Sequence, residues 1–216
     1  MSQATSGSNA NLVVTKVAVI GGGVIGGGWV ARFLMMGCDV AVFDPDPEAE
    51  RKIAEVLANA RRSLPGLFDH RLPDEGVLSF ADSLADAVCD AQWVSECVPE
   101  RLDLKQKVYQ QIQQSCSSTA IIASSTSGFK PSELQQGSSR PQQIIVAHPF
   151  NPVYLIPVVE LVGDSQTTAT AAQVITQLGM KPLLVRKEID AHIADRLLEA
   201  VWREGLWLIN DGVAST

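Results

Sequence analysis

The sequence predicts an α/β fold: a doubly wound, mostly parallel sheet, followed by the start of an all-helical region. Three observations carry that expectation. Short β-branched runs alternate with longer helical patterns, the arrangement that sandwiches a parallel sheet between helices. The first apolar run ends in glycines that open a helix. After Pro149 the alternation changes, and a long helical pattern runs almost to Thr216.

The elements follow in order. Residues 17–20 are a short apolar run, and residues 24–36, free of proline, read as a helix. Residues 40–43 form the next strand and stop at Asp44-Pro45; residues 47–64 are a polar, Ala/Arg-rich helix closed by Pro65-Gly66. Residues 77–80 and 93–96 read as strands, and residues 101–114 as a helix with Leu104, Val108 and Ile112 on its apolar side. Residues 120–123 and 144–147 are short buried strands. Residues 158–162 and 183–185 flank a helix at 167–178, and residues 189–210 read as one long helix rich in Leu, Trp and charge. A lone amphipathic helix cannot bury its own apolar face. The sequence therefore leads one to expect either packing on another subunit or a truncated form of a longer chain.

Bulk composition narrows the function classes. Of 216 residues, 46% are hydrophobic and 19% charged, a soluble globular composition. The net charge is −7 and the Arg and Lys residues are scattered, so nucleic acid is an unfavourable partner. No apolar run reaches the ~18 residues of a membrane span. Residues 1–11 lack the basic and apolar regions of a signal peptide, and read as a floppy leader of a cytoplasmic protein. Cys38, Cys89, Cys97 and Cys116 make no C-x-x-C pair and have no histidine at metal-ligand spacing. They are expected to be buried, reduced thiols, with no metal site.

Gly21-Gly22-Gly23-Val24-Ile25-Gly26 satisfies G-x-G-x-x-G through Gly21, Gly23 and Gly26. The pattern alone is weak; here it joins a strand to a helix. Gly21 suits the tight turn, Gly23 a close approach of pyrophosphate, and Gly26 close strand–helix packing, with Val24 and Ile25 in the helix's first turn. Asp44 ends the second strand, where a carboxylate accepts from ribose hydroxyls and repels a 2′-phosphate. These features predict a Rossmann-type domain that binds NAD rather than NADP. The division expected is a leader at 1–14, the NAD-binding domain at 15–187, and the first long helix of a helical C-terminal domain at 188–216.

The histidines are His70, His148 and His192. His148 follows a buried strand in His148-Pro149-Phe150-Asn151-Pro152, where prolines fix the backbone at a strand end. An imidazole there suits a general base. Glu160 lies among Val158, Val159, Leu161 and Val162, so its carboxylate needs a partner. A nearby imidazole would supply one, and the carboxylate would steady the imidazolium formed in turnover. Ser124-Ser125-Thr126-Ser127-Gly128 follows another strand; its hydroxyls suit either a substrate oxygen or an ordinary turn.

Together these segments resemble the 3-hydroxyacyl-CoA dehydrogenase superfamily. The matching pieces run from Val19 to Gly26, through Ser124-Ser125-Thr126-Ser127, the His148–Pro152 box and Val159-Glu160, to Asp195-Arg196-Leu197-Leu198, spanning about residues 15 to 215. The stretches at 147–154 and 194–206 are most similar to its carnitine-oxidising members. The resemblance implies NAD-dependent oxidation of a 3-hydroxy acid by a homodimer, with His148 and Glu160 as a dyad and Ser127 touching the reacting oxygen. It also implies cofactor contacts at Cys97, Glu100, Lys105 and Asn151. On their own, Glu100 and Lys105 would pass as solvated charges at a helix start. L-carnitine is the expected substrate; hydroxyacyl-CoA and L-gulonate are alternatives, and crystallin-like relatives offer a non-catalytic one.

One position departs from the superfamily pattern. Asp195 stands where hydroxyacyl-CoA members carry Asn, and an ionised Asp cannot donate to the substrate oxygen. The change suits a cation instead. Asp195, Glu199 and Trp202 share a helix face at i, i+4 and i+7, and a trimethylammonium is held by acids and aromatic faces. Arg203, with Arg196 on another face, could pair with the substrate carboxylate.

Overall fold

The computed structural model describes residues 14–216, so the expected leader falls almost wholly outside the described residues. β1 (Lys16–Ile20) leads into α1 (Val24–Met35), and β2 (Asp39–Phe43) into α2 (Ala49–Ser63), which tightens into a 3₁₀ turn at Leu64–Leu67. Then come β3 (Leu78–Phe80), α3 (Leu84–Val88), β4 (Trp93–Glu96), α4 (Leu102–Ser115), β5 (Ile121–Ser124) and α5 (Pro131–Leu134). β6 (Ile144–Pro149), β7 (Val158–Val162), α6 (Ser165–Gln177), β8 (Lys181–Leu184) and α7 (Ala194–Asn210) complete the chain.

The strands form one eight-stranded sheet in the order β3-β2-β1-β4-β5-β6-β7-β8. Neighbours are parallel except β6 and β7. The exception has a simple cause. Residues 150–157 are too few for the crossover that a parallel pair requires, so the chain turns straight back. Alternation along the strands fills both faces. Val17 and Val19 of β1 join Trp29, Phe33 and Ile53 on one side, while Ala18 and Ile20 join Val108, Tyr109 and Ile112 on the other.

The mostly parallel doubly wound architecture agrees with the expectation; several boundaries move. The strand expected at 144–147 continues to Pro149, so His148 lies within β6 and not beyond it. Helix α7 starts at Ala194 rather than at residue 189. The reason is local: Ala191 and His192 adopt positive φ (58° and 51°), which breaks a helix before it starts. Only Cys38 of the four free cysteines is buried; Cys89 is exposed and the other two are partly covered, correcting the expectation of buried thiols. Arg32 was given no role by its helical context. It is buried, donates to the carbonyls of Leu178, Gly179 and Tyr154, and ties α1 to the end of α6. Burial lowers its pKa to about 10.

Helix α7 buries no residue; Leu197, Leu198, Val201, Trp202 and Trp207 are all exposed. Among the described residues no helix is long and apolar enough to cross a membrane.

The glycine turn sets how closely β1 and α1 pack. Gly21 has φ +96°, and a Cβ on Gly26 would stand 1.8 Å from the Gly21 carbonyl oxygen. Gly26→Ala is therefore expected to cost at least ~2 kcal/mol and to lower the thermal midpoint by at least ~4 °C, read by calorimetry or circular dichroism.

Candidate functional site

Parallel register brings the singled-out residues to one edge of the sheet. Ile20 pairs with Phe43 and with Glu96, Glu96 with Ser124, and Ser124 with Val146. Gly21, Asp44, Cys97 and Ser125, each one residue past a strand end, therefore line up beside His148. The strand order reverses at β1, between β2 and β4. In open α/β sheets ligands bind at the carboxyl ends of the strands near such a switch point.

At the β1 end, α1 starts on Gly23 without a side-chain cap, so its first-turn amides, at Val24 and Ile25, face outward for an anion. Asp44 accepts from the Gly22 amide (2.5 Å) and the Asp46 amide (2.7 Å). It thus braces the glycine turn from the neighbouring strand. A cavity of about 560 Å³ lies here, lined by Gly21, Gly23, Phe43, Asp44, Cys97, Val98, Leu104 and Val108 among others. A Cβ on Gly23 would meet nothing within 4 Å, so that space is open to a ligand. An apolar cavity with a carboxylate at its rim and bare helix amides beside it fits an adenosine diphosphate moiety.

At the β6 end, His148 and Glu160 are directly paired across the antiparallel β6–β7 ladder. His148 Nδ1 lies 2.9 Å from Glu160 Oε2, and Ser127 Oγ lies 3.0 Å from His148 Nε2. The carboxylate is an acceptor, so Nδ1 carries the proton and Nε2 presents its lone pair to the Ser127 hydroxyl. Glu160 is 0% exposed, and its other oxygen accepts from the amides of Ile193 (2.9 Å) and Ala194 (3.0 Å). The carboxylate thus also caps the start of α7. Ser127 itself is exposed, at the mouth of the buried pair.

The four hydroxyls after β5 divide their work. Ser124 donates to Glu96 (2.7 Å), and Ser125 accepts from the Trp29 indole (3.0 Å). Thr126 donates to Glu100, leaving Ser127 for His148. The amides of Gly128 and Phe129 both donate to Thr126 Oγ1 (3.2 and 3.1 Å). They are therefore not free to receive an oxyanion. The Ser–His–Glu line is thus suited to proton transfer with a substrate hydroxyl rather than to acyl transfer through serine.

Sequence reasoning missed a buried network beside this site. Glu96, 0% exposed, takes Lys105 Nζ (2.8 Å), the Val98 amide (2.8 Å), Ser124 and the Tyr109 hydroxyl. Lys105 is 1% exposed and also reaches Glu100 (3.3 Å). The lysine is not a solvated helix-start charge; Glu100, exposed, is the member of the pair that reaches the surface. Burial and the adjoining Glu96 carboxylate push the Tyr109 phenol well above its usual range. Glu96 only ends an apolar strand, a weaker form of the signal that picked out Glu160 between four aliphatic residues.

His192 was also missed. It is fully buried, with its ring centroid 5.4 Å from that of His148. Asn151 is exposed just past β6. Asp195 lies in the first turn of α7, near enough for its charge to act on His192. Trp202 and Arg203 sit about two turns further along, and Trp202 is 65% exposed. Among the described residues no hydrogen bond or ion pair joins Trp202 or Arg203 to the His148–Glu160 pair. Among the described residues no group of three or more His, Cys, Asp or Glu is placed to hold a metal ion.

Residues 16–189 match the model of the 3-hydroxyacyl-CoA dehydrogenase NAD-binding domain. The chain is 65% identical over 207 residues to an L-carnitine dehydrogenase/betainyl-CoA thioesterase of Ruegeria pomeroyi, covering 94% of this chain and 42% of that protein. It is 52% identical over 208 residues to an L-carnitine dehydrogenase of Mesorhizobium japonicum, covering 94% and 57%. The chain thus spans about half the length of these relatives. A solved NAD+-dependent dismutase, 5-formyl-3-hydroxy-2-methylpyridine 4-carboxylic acid 5-dehydrogenase, matches with TM-score 0.85 at 32% identity, over 93% of this chain and 67% of that one.

Two outcomes test the site. Gly23→Ala is expected to leave the thermal midpoint unchanged while weakening NAD at least ~10-fold in calorimetric titration, because the methyl enters space a pyrophosphate needs. Burial pushes the Cys97 thiol up to about 12 and the Cys38 thiol to about 11. Since the thiolate is the nucleophile, iodoacetamide at about pH 8 should label exposed Cys89 and spare both, as read by peptide mass spectrometry.

Proposed function

The chain belongs to the 3-hydroxyacyl-CoA dehydrogenase family, and from that premise we propose that it oxidises the 3-hydroxy group of L-carnitine to 3-dehydrocarnitine with NAD. The observation that carries the reading is the hydrogen-bonded line Ser127–His148–Glu160 on the same sheet edge as the glycine turn. The relatives named above, called L-carnitine dehydrogenases, support the choice of substrate.

The residues present fit NAD. Gly21, Gly23, Val24, Ile25 and Gly26 would hold the pyrophosphate, and Asp44 the adenosine ribose. Cys97, Glu100, Lys105 and Asn151 would add further cofactor contacts, Cys97 along the cavity it shares with Gly21 and Asp44, and Lys105 through Glu100. When bound, NAD supplies the hydride acceptor. The chain supplies the acid–base work. His148 Nε2, which carries the lone pair of the neutral ring because Nδ1–H points at Glu160, takes the hydroxyl proton. Glu160 faces the resulting imidazolium at hydrogen-bond distance and stabilises it. Ser127 Oγ orients the substrate oxygen before transfer. In this reading residues 15–187 form the NAD-binding domain and residues 188–216 begin a helical one. A homodimer formed through that helical region, working in the cytoplasm, is part of the same proposal. The exposed apolar side of α7 supports it. Asp195 is the first candidate for the trimethylammonium, with Trp202 further along α7; Arg203, also further along, would pair with the substrate carboxylate.

NADH formation assayed with L-carnitine, with L-gulonate, and in reverse with acetoacetyl-CoA tests the assignment; turnover of either alternative above carnitine would overturn it. His148→Ala is expected to lower turnover at least ~10²-fold with NAD affinity retained. Glu160→Gln should lower turnover ~10-fold or more and also lower the thermal midpoint, since the same carboxylate caps α7.

A further inference from the structure

His192 is buried against the reacting imidazole and does nothing in the mechanism above. Its Nε2 lies 3.3 Å from the Thr126 carbonyl oxygen, which can only accept. The proton therefore sits on Nε2, and Nδ1 is left as a bare lone pair. That Nδ1 has no hydrogen-bond partner, the one such buried side-chain atom among the described residues. The ring cannot escape the problem by charging. Burial, and next the neighbouring His148, hold its pKa below the ordinary value; Glu160 and Asp195 oppose this more weakly.

A phenyl ring would fill the same space without the cost of an unpaired acceptor. The backbone adds to the cost. Ala191 and His192 both occupy the left-handed region (φ 58° and 51°), which neither residue favours. What the turn achieves is placement. It sets the His192 ring on His148 and aims the next two amides, those of Ile193 and Ala194, at Glu160. Thr126, which fixes Nε2, adjoins Ser127, which fixes His148. His192 thus packs on the base itself and is fixed by the residue beside Ser127.

We propose that His192 Nδ1 is a cofactor-binding acceptor: it takes a hydrogen bond from the carboxamide N–H of a docked nicotinamide. L-carnitine brings a single O–H donor, and in the reading above that hydroxyl already faces His148 Nε2, so the carboxamide is the donor that remains. The inference rests on the dehydrogenase reading above and adds a binding residue to it.

The test uses His192→Phe, which keeps an aromatic ring but has no acceptor, and His192→Asn. The asparagine carries a polar atom at the reach of Nδ1 and tolerates left-handed backbone. NAD affinity is read by calorimetry, with an analogue bearing an acetyl group in place of the carboxamide, and the KM for L-carnitine is read alongside. His192→Phe is expected to weaken NAD about 3- to 10-fold, His192→Asn to recover most of the loss, and the analogue to bind all three proteins alike. Constant NAD binding with a raised carnitine KM in His192→Phe overturns the proposal. The thermal midpoint of His192→Phe should match or exceed that of the parent. Unchanged NAD affinity together with unchanged carnitine KM in both variants overturns the proposal. So does an equal loss in both with a lowered midpoint, which marks a structural plug. Failure of the unsubstituted chain to bind NAD at all would instead sink the dehydrogenase reading.

Discussion

A single buried carboxylate joins the parts of this molecule that matter for its chemistry. Glu160 is 0% exposed and faces three donors: the His148 imidazole on one oxygen, the Ile193 and Ala194 amides on the other. A carboxylate taken out of water without such donors would cost several kcal/mol. With them, the same charge fixes the tautomer of the base, marks the start of α7 and complements the helix dipole. The antiparallel β6–β7 pairing makes this possible, because it sets residues 148 and 160 directly opposite each other. That pairing follows from a connection too short to cross the sheet.

The opposite end of the site is governed by backbone rather than charge. The bare amides at the start of α1, the open space over Gly23 and the Asp44 brace leave a cavity shaped by what is missing: side chains. Asp44 serves twice here. It holds the Gly22 amide, which steadies the turn, and it stands at the rim where a ribose would lie. The two ends are linked through the residues after β4 and β5, where Cys97 and Ser125 touch (3.3 Å) and Thr126 reaches Glu100.

How much of this was legible depends on how local the signal is. The alternation of strands and helices, the glycine turn, Asp44 and the His148–Glu160 pair follow from patterns a few residues long, or from a buried charge that demands a partner. The four-residue run Ser124–Ser127 could be located but not resolved. Each hydroxyl there answers to a different distant residue: Glu96, Trp29, Glu100 and His148. Glu96 was invisible because its partners, Lys105 and Tyr109, lie on a helix whose charges read as solvated. His192 escaped because its role depends on a left-handed turn at non-glycine residues, which no propensity predicts. The early start expected for α7 has the same origin. Asp195, Glu199 and Trp202 do fall on one helix, α7, but none of its residues is buried, and Trp202 is left exposed.

The two fully buried glutamates at this edge make an instructive contrast. Glu96 draws all its donors from the sheet domain itself: Lys105, Val98, Ser124 and Tyr109. Its cost of burial is met as soon as that domain folds. Glu160 obtains one partner from the sheet and two from the segment that enters α7. The general base is therefore complete only when α7 is docked by its first turn, although that helix buries nothing else of its own length. The helix is thus held at its start by one carboxylate and along its length by little apolar contact. The position of Asp195, in its first turn, is then set by the same charge that steadies His148. Acid–base chemistry and the first candidate for substrate contact on the helix are in this way fixed by one interaction, not assembled independently.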